Sequence, residues 1–240
     1  MAAGCARDVG ATFLATSLAE TSMAHAKRRV ISLFGAVVAA SALTAPAAFA
    51  APAGPPPPGG VTFELASLIG PMGCQLSGYA LSADVTAFTV SYSRYQGRAG
   101  GNSTPAERWM RCVLALRINA PSGYTYGLER TDYRGFADLA DGATGTLKAR
   151  SFFPDRADTP VRQILSLSGP YSDNWTAADE TLPGQVVYKP CGQSLSLFLH
   201  SELAVDLGSS DPSKTSVMSM STTDGSLKAT YHFAWKTCPK

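Results

Sequence analysis

The run Leu227-Lys228-Ala229-Thr230-Tyr231-His232-Phe233-Ala234-Trp235-Lys236 alternates: Leu227, Ala229, Tyr231, Phe233 and Trp235 share one parity, and Lys228, Thr230, His232 and Lys236 take the other. Successive side chains of an extended chain point to opposite faces, so the run reads as a strand with one buried and one solvated face. The same period recurs upstream in Phe88, Val90 and Tyr92, and in Met110, Cys112, Leu114, Leu116 and Ile118 with Arg111 and Arg117 opposite. It continues in Tyr124, Tyr126 and Leu128, in Leu147, Ala149 and Phe153, and in Val161, Leu165 and Leu167. Two more runs close the series, Leu195, Leu197 and Leu199, then Leu203, Val205 and Leu207. Turn-forming stretches separate them: Gly97 to Asn102, Pro121-Ser122-Gly123, Asp141-Gly142, Gly208 to Pro212 and the hairpin signal Asp224-Gly225. No stretch carries a helical period. The pattern predicts an all-β chain folded as an antiparallel two-sheet sandwich, jelly-roll-like, over one domain from 61 to 240.

The first 50 residues read differently. Lys27, Arg28 and Arg29 precede an apolar run from Val30 to Leu43, and Ala48-Phe49-Ala50 follows. A charged cluster, an apolar core and a small-x-small site in that order form a secretory signal, cleaved after Ala50. The run is shorter than the roughly 20 residues that span a bilayer. Met23 opens a well-formed signal by itself, which marks it as the true start. Arg28-Arg29 also fits twin-arginine export, but Val30-Ile31-Ser32 after it fits weakly, which favours the general secretory route. Residues 51–60, with Pro55 to Pro58 and Gly59-Gly60, form a flexible linker. No later segment is apolar enough to cross a membrane, so the expected destination is extracellular.

Removal of residues 1–50 takes away four basic side chains (Arg7, Lys27, Arg28, Arg29) and two acidic ones (Asp8, Glu20), leaving 16 of each sign. A chain with no net charge and no Lys/Arg run is a poor nucleic-acid binder, because phosphate neutralisation supplies most of that affinity. The remaining cysteines are Cys74, Cys112, Cys191 and Cys238. An even number in an exported chain reads as two disulfides. Three connectivities are open; the spacing points to Cys74–Cys112 and Cys191–Cys238. A thiolate metal site is disfavoured by the oxidising compartment and by the lack of a C-x-x-C pair.

Several short motifs, taken in order, resemble the secreted domain-of-unknown-function family 4360, found in bacteria and fungi. They are Gly73-Cys74, then Met110-Arg111-Cys112 leading into Val113-Leu114-Ala115-Leu116, and Pro121-Ser122-Gly123. Asp132-Tyr133-Arg134-Gly135 with Ala137 and Leu139, Gly169-Pro170, Cys191-Gly192 and a closing Trp235-x-x-Cys238 follow. Gln75 stands where the family pattern has Pro. The resemblance spans Val61 to Cys238 and implies a secreted β-rich domain without an established activity. It implies no catalytic residues.

Chemistry-bearing motifs are sparse. His200 and His232 lie at polar parities of their strands and read as surface histidines. There is no G-x-S-x-G elbow, no H-E-x-x-H and no EF-hand spacing. No catalytic residue, metal ligand or cofactor is therefore assigned, although loop acids and carbonyls suit Ca²⁺ in general. Asp138, Asp141, Asp155, Asp158, Asp173, Asp179 and Glu180 read as loop acids, and a glycosidase would need two of them across a cleft. Tyr171, Asp173, Asn174 and Trp175 form the candidate ligand site, read as a loop in which aromatics stack on sugar rings and amide or carboxylate groups bond hydroxyls. The competing reading has Trp175 folded back as a plug on a sandwich edge. Trp109 has solvent-side parity. Asn102-Ser103-Thr104 and Asn174-Trp175-Thr176 match glycosylation sequons, read as chance for a bacterial chain. The expected role is non-catalytic binding outside the cell, with envelope polysaccharide or a surface protein as partner. A secreted hydrolase using loop carboxylates and a purely structural envelope protein are the alternatives.

Overall fold

The computed structural model describes residues 54–57, 59–70, 74–220 and 228–239. The expected signal segment, residues 51–53 and 58 of the linker, and the Asp224-Gly225 hairpin lie outside them. In chain order the strands are β1 (Thr62–Ile69), β2 (Gln75–Leu81), β3 (Ala87–Arg94), β4 (Gln96–Ala99), β5 (Trp109–Asn119) and β6 (Tyr124–Leu139). They continue as β7 (Thr144–Phe152), β8 (Arg162–Ser168), β9 (Tyr171–Glu180), β10 (Leu197–Asp206), β11 (Ser216–Ser219) and β12 (Ala229–Thr237). The helical content of the described residues is two short 3₁₀ turns, Pro105–Arg108 and Pro154–Arg156.

Two sheets form the expected antiparallel sandwich. One has five strands in the order β1-β5-β10-β7-β8. The other has seven, in the order β2-β3-β12-β6-β11-β4 with β9 paired to β6. The core lies between them and is built from the predicted parities: Phe88, Val90 and Tyr92 of β3, Cys112, Leu114, Leu116 and Ile118 of β5, and Ala229, Tyr231, Phe233 and Trp235 of β12 are all buried. Aromatic edges cross the interface, with Phe63 on Phe88 at 5.2 Å and Tyr126 on Phe153 at 5.8 Å. Such edge-to-face pairs add to the area they remove from water.

Both suggested disulfides are present. Cys74 precedes β2 of the seven-stranded sheet and Cys112 sits in β5 of the five-stranded one, with Cα atoms 5.5 Å apart, so this bridge bolts the two layers together. Cys191 and Cys238, 6.0 Å apart, fix the end of β12 to the long β9–β10 connection. Lys189 braces that connection from within: it is buried, and its Nζ donates to the Gln193 carbonyl at 2.5 Å.

Three elements depart from the sequence reading. The two runs 195–199 and 203–207 are one strand, β10. Ser201 occupies the inward position between them and bonds the Tyr95 hydroxyl at 3.0 Å in the core, so a satisfied hydroxyl replaces the apolar side chain expected there. The segment 171–175 is strand β9, not a loop, and with it Asp173, Asp179 and Glu180 leave the expected set of loop acids. Asp138 likewise lies in β6. Finally, β6 is a 16-residue strand whose inward parity changes midway. Tyr126 and Leu128 face the core in its first half; Thr131, Tyr133, Ala137 and Leu139 are buried in its second.

Candidate functional site

That change of parity builds a polar surface on the outer face of the seven-stranded sheet. β12 pairs with β6 as His232↔Arg130 and then Phe233↔Leu128, so Glu129 is an extra residue with no partner. One inserted residue flips every following side chain to the other face. Without the bulge, Arg130, Asp132 and Arg134 would point into the core; with it they stand on the outer face.

The register arranges them in rows across β9, β6, β12 and β3. The first row is Thr176, Arg134 and Lys228, with the Arg134 amide donating to the Lys228 carbonyl at 3.1 Å. The second is Ala178, Asp132, Thr230 and Thr89, and the third is Glu180, Arg130, His232 and Ala87. Rows lie two residues apart, or about 6.6–6.8 Å. Around them lies an open groove of about 660 Å³. The other half of the same face is covered by the β9–β10 connection. There Thr125 donates to the Lys189 carbonyl, and a Cβ on Gly127 would meet Val186 and Val187. The groove is thus a part of this face that the described residues leave open.

Its third row is electrostatically closed. Arg130 Nε donates to Asp132 Oδ1 at 2.8 Å, and Arg130 also pairs with Glu180. His232 Nε2 meets Asp132 Oδ2 at 2.8 Å. The hydrogen bond from Arg130 holds the Asp132 carboxyl below its usual range, offsetting partial burial, so Asp132 is ionised and accepts from both neighbours. Thr89 and Thr230 hydroxyls lie 3.3 Å apart. The first row is different: Arg134 and Lys228 are exposed and have no ion-pair partner among the described residues.

The sequence-derived ligand residues share one strand but not one surface. Trp175 is 3% exposed. It lies so close to Gly135 of β6 that a Cβ there would overlap its ring. Among the described residues β9 pairs with β6 alone, so the indole plugs an edge of the sandwich and presents no stacking platform. Tyr171 is half-buried and its hydroxyl donates to the Asn174 carbonyl at 3.0 Å. Asp173 and Asn174 are exposed, with Asp173 Oδ1 accepting the Asn174 amide at 2.6 Å. Of the acids weighed for hydrolysis, Asp179 pairs with Arg162 and Glu180 with Arg130. Burial raises the Asp179 carboxyl, and the Arg162 charge opposes that shift.

The outer face of the five-stranded sheet carries a second polar cluster, and it corrects the reading of His200. Its parity is outward, yet it is only 6% exposed. Glu202 approaches Nε2 at 3.0 Å, and Arg150 Nε donates to Nδ1 at 3.3 Å. Glu202 also takes Arg111 at 3.3 Å and the Trp109 indole N–H at 3.2 Å, while Arg111 lies over the Trp109 ring. Arg150 further caps the Ala157 and Thr159 carbonyls. These long side chains roof the imidazole. Burial, with the Arg111 and Arg150 charges, outweighs the pull of Glu202 and holds His200 below its ordinary pKa. The folded state therefore keeps it neutral where the unfolded chain, with an ordinary value near about 6.5, would charge it. That stability is fully present above about pH 6.5 and is lost as pH falls from there toward the folded pKa. Urea melts between about pH 7.5 and 5 should show it, and His200→Gln should flatten the decline in that window; an unchanged slope in the variant contradicts the assignment.

A disulfide-braced antiparallel sandwich with an open polar groove on one sheet is the class of protein that this geometry defines. The chain matches the family described as Domain of unknown function (DUF4360) over residues 61–238, and it belongs to that family. It is similar to an uncharacterized secreted protein of Arthroderma benhamiae, 26% identical over 160 residues, a match covering 67% of this chain. The chain spans 64% of that relative's length. The protein is secreted, and among the described residues no helix is long and apolar enough to cross a membrane.

Proposed function

We propose that the protein is a non-catalytic extracellular binding domain that holds a cell-envelope polysaccharide in the groove between β9, β6 and β12. The observation that carries this reading is the Glu129 bulge. It turns three charged residues out of the core and onto an open face, and bulges recur where a side chain has been re-aimed for function. Rows of hydroxyl, guanidinium, carboxylate and imidazole groups on rigid strands suit sugar hydroxyls, which both donate and accept. In this reading residues 1–50 deliver the chain to the outside, 51–60 act as a spacer, and 61–240 form the one binding domain.

Filling the groove tests it. Ala178 is exposed on β9 in the second row. Ala178→Trp would occupy the groove without removing a charge or a core side chain. Co-sedimentation of the secreted protein with isolated cell-envelope polysaccharide should fall about tenfold or more while the melting temperature holds. Undiminished binding by the variant would place the ligand elsewhere and overturn the groove assignment.

A further inference from the structure

We propose that the ligand of this groove is an acidic polysaccharide, whose carboxylate or sulfate groups are taken by Arg134 and Lys228; the inference rests on the binding reading above. Three observations bear on it. The charges of the lower rows satisfy one another: Asp132 bonds Arg130 and His232, and Glu180 takes Arg130. The first row holds two cations side by side, Arg134 in β6 and Lys228 immediately before β12, with Thr176 as its third member and no acidic side chain. Both cations are exposed and without an ion-pair partner among the described residues. Two adjacent like charges repel, and an anion placed between them relieves that repulsion. A guanidinium fork binds carboxylate or sulfate oxygens in two parallel hydrogen bonds, and the ammonium adds a point charge beside it.

The rest of the row geometry fits a polymer rather than a free anion. Below the cations lies a shelf of small side chains, Ala178, Thr230 and Thr89, on which a sugar ring can rest. Asp132 stands in that shelf and would repel a second acid group one row down. The acid groups therefore recur along the first row and not across the rows, so the polymer axis runs across the strands.

The test uses the secreted protein and two matched pairs of polymers: polygalacturonate with its fully methyl-esterified form, and dextran sulfate with dextran. The expected result is binding to the acid member of a pair, weakened by added salt and reduced about tenfold or more by Arg134→Ala/Lys228→Ala. The charge-preserving double variant Arg134→Lys/Lys228→Arg should keep most of the binding. Both double variants change exposed side chains, and unchanged melting confirms that the fold is intact. Equal binding of acid and neutral members, or acid binding that survives Arg134→Ala/Lys228→Ala, overturns the anionic assignment and leaves the polysaccharide reading in place. Failure to bind either acid polymer also overturns the anionic assignment, while the polysaccharide reading stands or falls on the co-sedimentation with envelope polysaccharide.

Discussion

Replacing Cys74 and Cys112 together by alanine should lower the unfolding free energy by about 4 kcal/mol. The bridge closes a loop with a sequence separation of 38 residues. The chain-entropy model places loops of that order between about 3 and 5 kcal/mol. The position adds to the expectation. Cys112 is 1% exposed within β5, Cys74 is 5% exposed before β2, and their bond joins the two sheets at one corner. β1 and β2 are the outer strands of their sheets there, each paired along one side only. The Cys191–Cys238 bridge has the longer separation, 47 residues, but ties down the chain end, so its loss should chiefly free the last residues of β12 and the connection braced by Lys189. Chemical denaturation of the two double variants measures both effects. A loss below about 1 kcal/mol for the Cys74/Cys112 variant would contradict the inter-sheet role.

Trp235→Ala should cost a similar amount, about 3–5 kcal/mol. Trp235 is 1% exposed and lies against Tyr126 at 5.7 Å between ring centres. Its indole N–H donates to the Val85 carbonyl at 3.0 Å. Val85 is the one non-glycine residue with positive φ among the described residues, at 54°, in the turn between β2 and β3. A β-branched side chain strains that conformation, and the indole bond helps to hold it. Truncation therefore opens a cavity and releases a strained turn together. Trp235→Phe separates the two: it keeps most of the packing and should cost about 1–2 kcal/mol, mainly through the lost hydrogen bond. Equal losses for Phe and Ala would show that the turn, and not the cavity, dominates.

The legibility of this fold depended on unbroken alternation. β3, β5 and β12 were readable because Phe88 to Tyr92, Cys112 to Ile118 and Ala229 to Trp235 keep an apolar, buried residue at each inward position. β10 was read as two strands because Ser201 interrupts that series, and only the Tyr95 hydroxyl across the sandwich explains a polar group there. β9 read as a loop for a related reason. It is an edge strand that exposes Asp173, Asn174 and Thr176, residue types that also signal turns. The second half of β6 was hidden by one residue. Glu129 shifts the period, so Thr131, Tyr133 and Ala137 fall out of phase with Tyr126 and Leu128.

The same bulge explains why the candidate site was missed. Arg130, Asp132 and Arg134 do alternate with Thr131 and Tyr133, and Lys228, Thr230 and His232 form the polar side of the opening quotation. Each half of the groove was visible, but only the register shows that they face one another. Exposed-aromatic reasoning led instead to Trp175, whose partner is the bare backbone of Gly135, a contact no one-dimensional pattern reveals. His200 was misjudged because parity reports a direction and not what covers it. Arg150, Arg111 and Glu202 bury it from above.

The central claim is that ligand lies on the open half of the seven-stranded sheet. Backbone amide NMR of the secreted protein, titrated with a soluble fragment of the polysaccharide it sediments with, tests that most directly. The account predicts shifts confined to Arg130, Asp132 and Arg134 of β6, Thr176 and Ala178 of β9, and Thr230 and His232 of β12. Shifts centred on Trp109, Arg111 and Phe198 of the five-stranded sheet, with those strands silent, would contradict it.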